Sequence, residues 1–156
     1  IQGKFDLITL HHSLEHIPEQ LATLNSVRNL LLPTGTCLIR VPIVSSLVWE
    51  TYGVDWVELD APRHLYLHSI DSITTVAEQA RLDLYDTAYD STSFEFYGSE
   101  QYRRDIPLND PRSLWINSES SLFSKTEMDQ FSLLAETANA ELKGGRAGFY
   151  FRPQVK

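Results

Sequence analysis

Three observations predict an α/β fold. A short continuous apolar run, Phe5-Asp6-Leu7-Ile8-Thr9-Leu10, is followed before Pro42 by one helical pattern and a second apolar run. Strand, helix and strand in so short a span form a crossover unit, so the two strands are expected to be parallel. The later chain adds two more helical patterns and two strand-like runs, at Leu82–Tyr89 and Ala147–Arg152, expected to form an antiparallel pair. With 156 residues, 42% of them hydrophobic and 22% charged, the chain fits a single globular domain over 1–156.

Phe5–Leu10 is rich in branched and aromatic residues without polar alternation, the pattern of a strand buried on both faces. Pro18 suits a first helical turn, with Glu19 and Gln20 beside it. Leu21, Leu24, Val27, Leu30 and Leu31 then give one apolar face. Pro33-Thr34-Gly35 stops that helix, and Thr36–Val41 is the second strand, completing a crossover over 1–42. Residues 43–68 lack periodicity but hold Trp49, Tyr52, Trp56, Tyr66 and two histidines, which reads as a functional lid or as packed-down core. Over 69–97, Ser69 caps a helix striped by Ile70, Ile73, Val76, Ala77 and Ala80. The Leu82–Tyr89 strand follows, extended or paired by Ser93–Tyr97. Residues 98–123 are polar, broken by Pro107 and Pro111, and read as an irregular excursion. Over 124–156, Ser124 and Glu127 form a capping box for a helix with Met128, Phe131, Leu134, Ala135, Ala138 and Leu142 on one face. Gly144-Gly145 and the last strand follow.

The balance of 13 basic and 21 acidic residues, net −8, argues against a nucleic-acid backbone binder, which needs clustered Lys and Arg. A lone cysteine, Cys37, excludes an internal disulfide framework and leans towards a reducing, cytoplasmic setting. No apolar run approaches the roughly 18 residues of a membrane span. Ile1-Gln2-Gly3-Lys4 runs directly into the first strand without an initiator methionine or a signal pattern, as a cut domain would.

His11-His12-Ser13-Leu14-Glu15-His16 falls where the first strand ends, the side on which open α/β sheets bind ligands. His12, Glu15 and His16 also spell H-x-x-E-H, a zinc-hydrolase string that needs its ligands on one continuous helix. Pro18 argues against such a helix, so no metal is expected. Alternatively, Glu15 and His16 hydrogen-bond backbone groups at the turn.

Phe5-Asp6-Leu7-Ile8, Leu14-Glu15-His16-Ile17-Pro18, Leu31-Leu32-Pro33-Thr34-Gly35 and Leu38–Pro42 together resemble the second half of a class I S-adenosylmethionine-dependent methyltransferase. In that family a fourth strand beginning F-D leads to an L-E-H-hydrophobic-P turn, a helix ending L-x-P-x-G and a fifth strand. Asp60-Ala61-Pro62-Arg63-His64-Leu65-Tyr66 resembles the acceptor-side segment of its small-molecule and surface-sugar branch. The resemblance covers residues 4–90 and implies strands four to seven of a Rossmann-like methyltransferase sheet with flanking helices. The family's glycine-rich cofactor loop and its ribose-holding acid have no counterpart here. Ala80-Arg81-Leu82 also stands where the family places a small residue, usually glycine.

By position, the resemblance implies that His11 and His12 face the cofactor's methyl group or act as base, with Glu15 and His16 beside the cofactor. It implies that His64 is catalytic or, with Trp56, Arg63 and Tyr66, contacts the acceptor. Histidines titrating near neutrality suit proton removal. Adjacent strand residues face opposite ways, so one of His11 and His12 is expected to point into the core. For Arg63 a salt bridge to Asp60 or Asp55 is the alternative, and for Trp56 plain packing. The expected activity is methyl transfer to a small or sugar-like acceptor by a longer protein, this chain alone being inactive. A non-catalytic binding or dimerising module is the rival, and a zinc hydrolase a remote one. Loss of the upstream half would leave the Phe5–Leu10 edge open to self-association.

Overall fold

The computed structural model describes residues 3–154; Ile1 and Gln2, which open the chain, and Val155 and Lys156 lie outside the described residues. Within the span that the sequence pattern presents as one domain there are two compact units. One comprises Ile1–Ser45, Ala61–Ala88 and Arg146–Lys156, and the other Ser46–Asp60 and Tyr89–Gly145. Segment 43–68, expected as one lid, is thus shared between them.

The first unit is built on a four-stranded sheet. Strand β1 (Phe5–His11) leads through the turn and helix α1 (Gln20–Leu30) to β2 (Leu31–Pro42), and the two strands pair in parallel, as the crossover required. Helix α3 (Ile70–Gln79) precedes β3 (Leu82–Tyr89), and β4 (Arg146–Pro153) is inserted to give the order β1-β2-β4-β3. β4 runs antiparallel to β2, from Cys37 against Phe151 to Pro42 against Arg146. At one end of the last pair the Gln154 amide donates to the Arg81 carbonyl (3.0 Å), and at the other Gly148 lies beside Ala88. That crossing of residue numbers makes β3 and β4 antiparallel, as expected. Ile39, Val41, Ile73, Leu82, Phe149 and Phe151 are fully buried. Burial on this scale contributes on the order of 1.5–3 kcal/mol for each large side chain.

Helix α1 starts at Gln20 with Glu19 as its N-cap, so Pro18 lies before the helix and not in its first turn. Its buried positions are Gln20, Leu24 and Val27, while Leu21 is 39% exposed. The helix ends at Leu30, and the chain enters β2 directly. Pro33-Thr34-Gly35 stops no helix; it lies where the register slips, Phe5 facing Leu31 but Leu7 facing Thr36. Glycine is needed at that slip because a Cβ on Gly35 would stand 2.8 Å from the Phe5 carbonyl oxygen.

Strand β1 departs from its pattern. A run that reads as buried on both faces is an edge strand with Phe5 38% and Leu7 57% exposed, because β2 is its only neighbour among the described residues. Free N–H and C=O groups along such an edge can template another strand.

The second unit is helical: α2 (Leu47–Tyr52), α4 (Ser93–Arg103) and α5 (Lys125–Ala140), with short 3-10 turns at Gly53–Asp55 and Val57–Leu59. Ser93–Tyr97 neither extends nor pairs with β3; it forms the first half of α4. Buried Glu95, Phe96 and Ser99 recur at helical spacing, and the helix runs through Gly98, where an added Cβ would meet Val57 at 3.1 Å. Irregular chain therefore begins only after Arg103. The Ser124–Glu127 capping box forms as expected, and Ser69 pairs with Ser72 to cap α3. On α5, Phe131, Ala135 and Ala138 are buried while Leu134 is exposed, and Leu142, expected on the same face, lies beyond the helix end and is exposed. Among the described residues no helix is long and apolar enough to cross a membrane.

Arg81 closes α3 with φ of 59°, the left-handed conformation that glycine adopts without strain, and its amide donates to the Glu78 carbonyl (2.9 Å). Arg81→Gly is therefore expected to stabilise the chain by about 0.5–1 kcal/mol. Arg81→Val should destabilise it by at least about 1 kcal/mol, since a β-branched side chain is strained at that φ. Urea unfolding of the three proteins checks the order Gly, Arg, Val.

Candidate functional site

The candidate residues of the first unit gather at the carboxyl end of β1. The last β1–β2 register pair is His11 with Arg40, and the His12 amide donates to the Arg40 carbonyl (2.9 Å). His12 then turns with φ of 44°. Leu14–His16 forms a single 3-10 turn, closed by His16 N–H to Ser13 and Ile17 N–H to Leu14. The H-x-x-E-H string therefore has no continuous α-helix, which removes the geometry its zinc-hydrolase reading requires.

Two strings almost fifty residues apart meet here. The Glu15 carbonyl accepts the amides of Leu65 (2.9 Å) and Tyr66 (3.2 Å). The Tyr66 hydroxyl donates to the Pro18 carbonyl (3.0 Å), and His16 Nδ1 donates to the Arg63 carbonyl (2.9 Å). The imidazoles of His16 and His64 consequently lie 4.8 Å apart, centroid to centroid. L-E-H-x-P and P-R-H-L thus form one cluster, though the sequence separates them.

Glu15 is fully buried and His12 Nδ1 stands 3.4 Å from its Oε1. Burial is the largest single influence on this carboxyl and pushes its pKa up. The neighbouring His12 and the Glu15 backbone, with the charges of His12 and His64, outweigh it and hold the group below the usual glutamate range.

Arg40 is the residue that the sequence reading missed. Its Nη1 donates to His11 Nε2 (3.2 Å) and to His12 Nε2. A guanidinium only donates, so both histidines accept at Nε2 and carry their protons on Nδ1. For His12 that places Nδ1–H towards Glu15. An arginine in the otherwise apolar Leu38-Ile39-Arg40-Val41 run was the available signal. Neither His11 nor His12 is buried, so the expectation that one of them points into the core is not met.

His68, also in this unit, is buried; its Nε2 donates to Gln20 Oε1 (3.1 Å), while Gln20 Nε2 donates to the Leu14 carbonyl (2.9 Å). Arg63 is exposed and contributes its carbonyl to the cluster. Asp55, one expected partner for Arg63, lies 3.9 Å from Arg103. Tyr66 is 42% exposed. Trp56 belongs to the second unit, is wholly buried and packs edge-on against Trp49 at 6.0 Å. An enclosed indole offers a ligand no face, and packing is the role its surroundings give it.

A family model described as a methyltransferase domain matches residues 2–87. Among solved structures, the CcbJ methyltransferase from Streptomyces caelestis aligns with a TM-score of 0.52 and 10% identity, covering 99% of this chain and 59% of that one. An S-adenosylmethionine-dependent methyltransferase from Clostridium acetobutylicum ATCC 824 gives 0.52 and 11%, covering 99% and 61%. The [4+2]-cyclase SpnF gives 0.54 and 14%, covering 99% and 51%. At such identities the likeness speaks for the fold alone. The chain spans roughly half to three-fifths of the length of these structures. No curated protein matches.

Burial holds the His68 pKa below the ordinary histidine value of 6.5, only partly offset by the Glu15 charge. The unfolded chain therefore binds more protons between the two values. His68 contributes stability that is full above pH 6.5 and lost as the pH falls towards its folded value. Urea midpoints are expected to fall as the pH drops through this range, and His68→Asn should flatten that part of the slope.

Proposed function

The chain belongs to the methyltransferase-domain family, and on that premise we propose that it is the acceptor-side portion of an S-adenosylmethionine-dependent methyltransferase. The proposed acceptor is a small or sugar-like molecule presenting a nucleophilic atom. The observation that carries this reading is the joining of Leu14–Pro18 to Arg63–Tyr66 at the carboxyl end of a parallel strand, where α/β sheets take their ligands. S-adenosylmethionine supplies an activated methyl group, so the protein's task is to position an in-line nucleophile. His64, Tyr66 and Arg63 are the side chains proposed to meet the acceptor, and His11 and His12 those proposed to face the reacting end.

The residues at hand fit the cofactor only in part. The carboxyl end of β1 is polar, with His11, His12 and Arg40 together. The connection from His12 to Glu19, however, contains no glycine through which a backbone could approach the cofactor closely. We therefore assign cofactor binding to a longer protein containing this chain, the chain alone being inactive. Glu15 has no exposed side-chain surface for the cofactor and is proposed to orient the turn instead.

One observation favours the rival reading, a non-catalytic module. Nε2 of both His11 and His12 is engaged by Arg40, which opposes a role for either as base in this arrangement. Calorimetric titration of S-adenosylhomocysteine separates the readings. Binding to the longer protein and none to this chain is expected. Binding to neither would favour the module, and binding to this chain alone would mean that the cofactor site is misassigned.

The exposed Phe5–His11 edge is proposed to pair with a second copy when it is otherwise uncovered. Light scattering at micromolar concentration is expected to give a mass above the monomer; a monomeric mass would remove this proposal.

A further inference from the structure

We propose that Glu15, His16 and His64 form a binding site for one divalent transition-metal ion, zinc being the expected occupant. The set is distinct from the H-x-x-E-H reading: it omits His12 and recruits a histidine from the 61–68 segment. A carboxylate oxygen and one ring nitrogen from each histidine all lie within 4.8 Å of one another. Bonds of about 2.0–2.2 Å to zinc require donors somewhat closer than that. A shift of the half-buried His64 side chain towards Glu15 and His16 would close the gap.

The independent pointer is Glu15 itself. Its residue surface is fully buried, and neither carboxylate oxygen has a hydrogen-bond partner among the described residues. A charged group out of water without such partners is costly. His12 Nδ1 at 3.4 Å from Oε1 favours the carboxylate form but leaves both oxygens without a hydrogen bond. A cation between Glu15 and the two imidazoles would bond a carboxylate oxygen directly.

The surroundings suit coordination. His16 Nδ1 donates to the Arg63 carbonyl, which fixes the ring and leaves Nε2 as the nitrogen with a lone pair. Metal-binding histidines are oriented in this way by their second nitrogen. Glu15 and His16 are held on a closed 3-10 turn, and His64 is anchored by the Leu65 and Tyr66 amides on the Glu15 carbonyl. His12, held by Arg40, faces the carboxylate from outside the ligand set. Two neutral imidazoles and one carboxylate suit zinc and its first-row neighbours, whereas magnesium and calcium favour all-oxygen shells. Three protein ligands leave a coordination position open, as in catalytic sites, for a water or a ligand oxygen. The inference does not depend on methyl transfer.

The test is titration of the metal-stripped full chain with zinc chloride against a chromophoric chelator, with cobalt(II) as a spectroscopic substitute. One ion per chain, bound at micromolar or lower concentration, is expected, together with ligand-field bands from cobalt. His16→Ala and His64→Ala, at half-buried positions, should each weaken zinc binding by at least about 10–100-fold. Their far-UV circular dichroism should be unchanged. Sub-stoichiometric or absent binding would overturn the proposal, as would full binding by both variants, which would place the metal elsewhere.

Discussion

The first unit depends on the two ends of Glu15 working together. Its carbonyl accepts two amides from the 61–68 segment, and its carboxylate sits buried beside three imidazoles. Without the backbone bonds, the pairing that places the chain between Ala61 and α3 is the bridge of His68 to Ile43 near its end. Without charge compensation, the carboxylate would be an ion in a desolvated site, an arrangement that costs several kcal/mol. The turn is therefore both a hinge pin and a charge that has to be answered. His12 answers part of it because Arg40 occupies His12 Nε2 and so turns Nδ1–H towards the carboxylate.

The sheet explains how that turn is presented. β4 lies between β2 and β3, so β2 is flanked on both sides and carries the deepest core, Cys37, Ile39 and Val41. Burial pushes the Cys37 thiol up to about 12, which makes it a packing residue rather than a nucleophile. Among the described residues, β1 pairs with β2 alone. Its parallel register nevertheless places His11 opposite Arg40, which brings a guanidinium to the head of the turn. A rigid central strand thus positions the polar cluster through one neighbour.

Much of this was legible locally. The Ser124–Glu127 capping box, the Ser69 cap, the existence of α1 though not its ends, the α3 pattern, the two parallel strands and the late antiparallel pair follow from periodicity and punctuation that lie within a few residues. What failed was non-local. Ser93–Tyr97 reads as an extension or partner of a strand, but it forms the first half of a helix whose Gly98 leaves room for Val57. Phe5–Leu10 carries the pattern of a doubly covered strand, but cover is a property of neighbours and not of the run. Arg40 was overlooked because one charged residue in an apolar strand gains meaning only when its register partner is known. The cluster of His16 with His64 was partly visible, since both motifs were singled out. Their contact was not, because backbone hydrogen bonds make it and these leave no trace in residue type.

That last feature shows in how the turn and the 61–68 segment are tied together. Of the four hydrogen bonds described above between the turn and the 61–68 segment, three run from backbone to backbone, or use a side chain of the turn to reach a backbone oxygen of the segment. The fourth uses the Tyr66 hydroxyl of the segment. The backbone of the segment, more than the identity of its side chains, therefore carries these bonds. The turn and its buried carboxylate are fixed by the physics of desolvation, so the geometry of the cluster is written in residues whose alternatives are costly.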